Sequence, residues 1–118
     1  MAIPTIYKGA DEVINVTITD GDGVAIPISS LSEVIVSVYQ NKETVLQQWK
    51  KSDGSLVTVS SSGGIVQANL DRNNTNAIPL KRLFLEVVAE LANTDFASNK
   101  QRMIVSDIVL ADLKNSVV

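Results

Sequence analysis

An antiparallel β-sandwich of seven or eight strands is the fold class this sequence predicts, and three observations point to it. Apolar and polar residues alternate along several stretches, the period of a strand with one face hidden. Clusters of Gly, Asp, Asn and Ser recur every eight to twelve residues or so, a spacing typical of sandwiches and barrels. Aromatic residues make up only 4% of the chain, so Val, Ile and Leu must fill the core, and β-branched side chains suit a pleated surface. Each one-sided strand then has to hide its apolar face against a second sheet.

After a short lead containing Pro4, residues 12–19 place Ile14, Val16 and Ile18 on one side and Asn15, Thr17 and Thr19 on the other. The Asp20-Gly21-Asp22-Gly23 cluster ends this strand: glycine tolerates positive φ, and aspartate can bond nearby amides. Residues 25–30 contain Pro27 and read as a connection or edge segment, because proline cannot donate to a ladder. Residues 34–40 and 44–50 alternate again and form a hairpin about Asn41-Lys42-Glu43. Two further turns, at 52–55 and 61–64, lead to short strands at 56–60 and 65–70. A polar, asparagine-rich turn segment at 71–76 precedes the longest apolar-rich run, 83–91.

In that run Leu83, Leu85, Val87, Ala89 and Leu91 share one face if the chain is extended, as expected of a central strand. Leu80, Leu83, Phe84, Val87, Val88 and Leu91 also fit a helical stripe. The period-two pattern elsewhere favours the strand. Residues 93–100 form a break, and 101–110 a last strand that is apolar on both faces, with Met103, Val105 and Val109 on one parity and Ile104, Ile108 and Leu110 on the other. Residues 112–118 are expected to be a tail. The whole, residues 1–118, is the size of one domain, with a core that needs no metal or cross-link.

Composition excludes several kinds of chemistry. The chain has no Cys, which rules out disulfides and thiolate ligands or nucleophiles, and no His, the commonest general base and transition-metal ligand. A net charge of −3 and the lack of any basic cluster interleaved with aromatics argue against nucleic acid. No apolar run approaches the length of a membrane helix, and the first residues lack a signal-peptide pattern, so a product made and kept in the cytoplasm is expected.

The opening Lys8-Gly9-Ala10-Asp11-Glu12-Val13-Ile14-Asn15-Val16-Thr17-Ile18-Thr19-Asp20-Gly21 resembles the glycine-led first strand and aspartate-glycine turn of a family of phage and prophage virion domains, the upper-baseplate protein N-terminal domain family. The stretches 24–29, 70–75 (Leu70 to Thr75) and 105–110 are similar to that family's short apolar segment, its polar loop before a long strand, and its closing strand. One departure is Pro79-Leu80-Lys81-Arg82, where the family carries a glycine. The resemblance implies an immunoglobulin-like β-sandwich and a non-enzymatic role in a bacteriophage virion, on baseplate, tail, neck or capsid surface. It implies partners among other virion proteins or copies of the same chain, and it brings no catalytic residue and no cofactor.

Residues that could carry a site are few. Asp20 and Asp22 resemble half of a calcium loop, with Glu33 the nearest further acid, but Val24 to Ile28 supply no ligand oxygens and a plain turn is favoured. Glu86 and Glu90 would lie about 13 Å apart on a strand, beyond glycosidase spacing. Lys50 and Lys51 with Lys81 and Arg82 are too few for a basic patch. Tyr39 and Trp49 are interaction candidates. They would form the aromatic platform of a glycan- or cell-surface-binding module, the main alternative function, unless Trp49 caps the core. Val117 and Val118 are the other interaction candidates, as apolar residues able to join a neighbour's sheet or groove.

Overall fold

The computed structural model describes residues 4–41, 43–76 and 82–114. Eight strands form two sheets: β1 (Thr5–Tyr7), β2 (Glu12–Thr17), β3 (Glu33–Asn41), β4 (Thr44–Lys50), β5 (Val57–Ser60), β6 (Ile65–Leu70), β7 (Arg82–Ala92) and β8 (Lys100–Lys114). The larger sheet has the order β1-β8-β7-β3-β4 and the smaller β2-β6-β5. Set against each other, β8-β7-β3-β4 and β2-β6-β5 follow the strand order of a variable-type immunoglobulin sandwich, with two differences: among the described residues no strand lies beyond β4, and none lies beside β2 on the side away from β6.

The 83–91 run is a strand, and a central one. β7 lies between β3 and β8, in register from Glu33↔Glu90 to Tyr39↔Phe84 on one side and from Arg82↔Asp112 to Ala92↔Lys100 on the other. Its alternation puts Leu83, Leu85, Val87 and Ala89 in the core beside Val34, Val36 and Val38 of β3. Ile14, Val16, Val66, Ala68 and Leu70 of the smaller sheet belong to the same buried cluster. Burying one such side chain is worth roughly 1.5–3 kcal/mol, against about 0–1 kcal/mol for an exposed ion pair. The three fully buried valines of β3 therefore outweigh the surface pairs Arg72–Asp11, Arg82–Asp112 and Arg102–Glu90.

Three expectations are corrected. The ladders are not all antiparallel, because β1 runs parallel to the end of β8, Thr5↔Asp112 to Tyr7↔Lys114. The expected tail is accordingly shorter: residues 112–114 are strand, held by β1, with Leu113 buried. The asparagine-rich segment is not only a turn but a short helix, α1 (Arg72–Asn76), whose first amides are met by Asp71: its Oδ1 accepts from Asn73 N (2.8 Å) and its carbonyl from Thr75 N (3.1 Å). Residues 25–30 form a connection ending in a short 3-10 turn at Ile28–Ser30, as Pro27 suggested.

Two register shifts in β8 decide which side chains face out. Val87 pairs with Ser106 and Val88 with Ile104, skipping Val105; Leu83 pairs with Ala111 and Phe84 with Val109, skipping Leu110. Each skipped residue is a bulge that reverses the alternation beyond it. Ile104 and Ile108, which strict alternation puts on one face, end on opposite faces: Ile104 outward beside Val88, Ile108 inward beside Leu85.

Candidate association surfaces

The outer face of the larger sheet carries cross-strand rows of alternating character. Lys50, Ile35, Val88 and Ile104 align across β4, β3, β7 and β8; Gln48, Ser37, Glu86 and Asp107 form the next row; Val45, Tyr39, Phe84 and Val109 form the third. Two apolar rows thus flank one polar row. Tyr39 ties the third row to the polar one: its ring stacks on Phe84 with centroids 5.5 Å apart and planes 20° apart, and its hydroxyl donates to Asp107 Oδ1. Ile104 is 61% exposed, and Val45 and Val109 are exposed as well.

Charged residues border these rows. Arg102 Nη2 donates to Glu90 Oε1 (2.9 Å) at one end, and Arg82 Nε to Asp112 Oδ1 (2.8 Å) at the other. The Arg82 hydrogen bond holds the Asp112 carboxyl below the usual carboxylate range. Glu86 and Glu90 both lie on this face, Glu86 opposite Asp107 and Glu90 opposite Arg102, as part of the charged pattern rather than as an isolated pair.

The outward positions of the smaller sheet are different. Val13, Asn15 and Thr17 of β2 lie opposite Asn69, Gln67 and Ile65 of β6, and Val57 of β5 lies opposite Gln67; none of these residues is charged. Their polarity is met sideways, with Gln67 Nε2 donating to Asn15 Oδ1 (3.3 Å).

A strap ties the two sheets together at one end. Thr75, on α1 and fully buried, accepts from Gly9 N (3.1 Å), and its hydroxyl lies 3.1 Å from the carbonyl oxygens of Ala10 and Arg72. Asp11 accepts from Arg72 N (2.6 Å) and from the Arg72 guanidinium (2.7 Å), which lowers the Asp11 carboxyl and raises Arg72. The β1–β2 turn is thereby fastened to the β6–β7 connection. Alternation alone gives no sign of this, because Thr75 is one polar residue among several in a polar run.

The other residues singled out from the sequence are placed as follows. Trp49 is only 3% exposed and points into the core opposite Val36, while Tyr39 points outward from the neighbouring strand, so the two share no platform. Asp20 Oδ1 accepts from Asp22 N (2.9 Å) and Val24 N (3.0 Å), a turn made by the side chain, with Gly23 at φ 80°. Glu33 is remote from that turn in use, since its Oε1 accepts from Val34 N and Ser52 N (both 3.0 Å). No group of three or more acidic, His or Cys residues that could hold a metal ion occurs among the described residues. Lys51 Nζ donates to the Leu31 carbonyl (2.5 Å), and Lys50 lies at the end of an outer row. Lys81, Val117 and Val118 lie outside the described residues.

The surface residues that sequence reasoning missed are Phe84, Ile104 and Val109. Their apolar character was legible; Phe84 faces outward by the alternation of β7, whereas the outward direction of Ile104 and Val109 depends on the β8 bulges. No family model matches the chain, and no curated protein matches it.

Proposed function

We propose that this chain is a non-enzymatic structural and assembly module of a bacteriophage virion, placed on baseplate, tail, neck or capsid surface and working through association with other virion proteins or with copies of itself. The observation that carries the association is the pair of apolar rows on the outer face of the larger sheet. Exposed apolar side chains grouped on one face and bordered by charges are a signature of a protein-binding surface; here the exposed ones stand at the ends of the rows, with Val88 and Tyr39 between them largely covered. Ile104, Val109 and Val45 supply exposed area, and Tyr39 stacked on Phe84 supplies a rigid centre. The placement in a virion is supported by the resemblance in residues 8–29, 70–75 and 105–110. The absence of Cys and His in the sequence accords with a role that does no chemistry.

Mass spectrometry of density-purified particles from a host expressing the chain tests this reading. The chain is expected in the particle at fixed stoichiometry, and the Ile104→Asp variant is expected to remain in the lysate. Particles that lack the chain, or that take up the variant equally, would overturn the proposal.

A further inference from the structure

The geometry points to the free edge of β2 as an acceptor for an extended peptide segment of a second polypeptide, which would add to the smaller sheet as a fourth strand. This deepens the association reading and rests on it, but it uses a different surface from the apolar rows.

Four strand edges are open among the described residues: β1, β4, β2 and β5. Three of them are blunted. β1 has three residues, β5 has four and a register shift, and β4 pairs through two register shifts. β2 is six residues long, pairs with β6 in unbroken register, and carries one charge, Glu12, at its start. It has no proline, lysine or bulge to deter pairing.

Its backbone is set for a partner. Ile18 N donates to Gly64 O (2.7 Å), the continuation of the β2–β6 register. Because hydrogen-bonded and non-hydrogen-bonded pairs alternate in an antiparallel ladder, Ile14 and Val16 also direct N–H and C=O toward β6. Val13, Asn15 and Thr17 therefore direct theirs to the open side. Val13 is 58% exposed.

The space beside this edge has a floor. A groove of about 290 Å³ runs between β2 and the β1–β8 seam, lined by Ile6, Ile14 and Leu110 among others. Farther along β8, Ile108 faces inward opposite Leu85 yet is 53% exposed, because three strands do not cover the inner face of five. A strand hydrogen-bonded to β2 would lie over this overhang. A second whole sandwich would have to bring its own β2 past the same five-over-three overhang. A single extended segment carries no such overhang.

Charge sets the direction of the ligand. Glu12 and Asp71 stand at the end of β2 where the strand begins, no Lys or Arg among the described residues lines the groove, and Arg72 is engaged by Asp11. An antiparallel segment with aliphatic side chains at every second position and a basic residue at its C-terminal end satisfies both the floor and this acidic end.

The test uses an acetylated, amidated octapeptide of alternating Thr and Val ending in Lys, added to the whole chain, with amide hydrogen exchange read residue by residue. Exchange at Val13, Asn15 and Thr17 is expected to slow by about tenfold or more, with Ile14 and Val16 unchanged because β6 already holds them. Asn15→Pro, which removes a donor from an edge strand, is expected to abolish the effect. Ile108→Lys, at an exposed position that leaves the fold intact, is expected to abolish it as well by charging the floor, and serves if the proline variant does not fold. No selective slowing in the unaltered chain, or full slowing in Ile108→Lys, would overturn the acceptor site. Because Ile104 is on the opposite face of β8, loss of the acceptor effect with particle uptake intact refutes only this inference. Loss of particle uptake with the acceptor effect intact refutes the association reading beneath it.

Discussion

The two sheets solve the problem of an open β-surface in opposite ways. The larger sheet shows apolar rows on its outer face but borders them with the Arg102–Glu90 and Arg82–Asp112 pairs, and its edge strands are short or irregular. The smaller sheet has an uncharged outer face and leaves β2 long, regular and unpaired among the described residues. The larger sheet thus exposes apolar side chains, whereas the smaller exposes backbone at an edge. Side-chain surfaces tolerate many partners of matching shape, while a backbone edge accepts only an extended strand.

The largest expected effect falls on what the sheets share. Trp49→Ala removes the one large aromatic packed between them and is expected to destabilise the fold by about 3–5 kcal/mol, read from the urea midpoint. A change below about 1 kcal/mol would mean that the sheets do not depend on a common core at Trp49.

Thr75→Val asks whether the strap holds the sheets together at one end. It keeps the volume but strands the Gly9 amide, for an expected loss of about 1–3 kcal/mol. Hydrogen exchange should speed up first at Gly9 and in the β1–β2 turn; uniform exchange throughout the chain would argue against a local strap.

Acid probes the polar bindings of the loops and margins. Asp11 and Asp112 are held below their ordinary range by arginine hydrogen bonds, and Asp53 by Ser55. Burial pushes Glu33 upward, but hydrogen bonds from Ser52 and the Val34 amide outweigh it and leave it lowered. Groups lowered in the folded state stabilise it above their unfolded values and lose that contribution as pH falls through the folded ones. The thermal midpoint should therefore be level from pH 7 to 5 and fall below about pH 4. A fall already complete at pH 5 would contradict this assignment.

The smallest expected change in stability separates the two docking modes. Ile104→Asp lies on the exposed outer row and should shift stability by no more than about 0.5 kcal/mol, while removing association through the larger sheet. Size-exclusion and particle-uptake measurements on this variant, beside hydrogen exchange at β2, would show whether the two modes are independent.

Much of the fold could be read along the chain because alternation is a local property. The β2 and β7 alternations place their inner residues correctly from adjacent residues alone, while those of β3 and β6 marked strands without choosing a face. The predicted hairpin of β3 and β4 required only Asn41 and Thr44 to face each other across a short connection. Thr75 and residues 112–114 were not legible, because a buried threonine and a parallel strand acquire their roles from segments far away in sequence.

The sequence by itself determined an all-β chain with aliphatic side chains at every second position, enough to require two facing sheets, and it excluded thiol and imidazole chemistry outright. Only the tertiary structure decided which apolar residues are surface and which are core. The bulges at Val105 and Leu110 turn Ile104 outward and Ile108 inward, and among the described residues the three-against-five strand count leaves the β2 edge and the floor beside it uncovered. The physical reason is that alternation specifies two faces for each strand, whereas pairing, register and sheet width, which are set by distant partners, specify which face meets protein and which meets solvent.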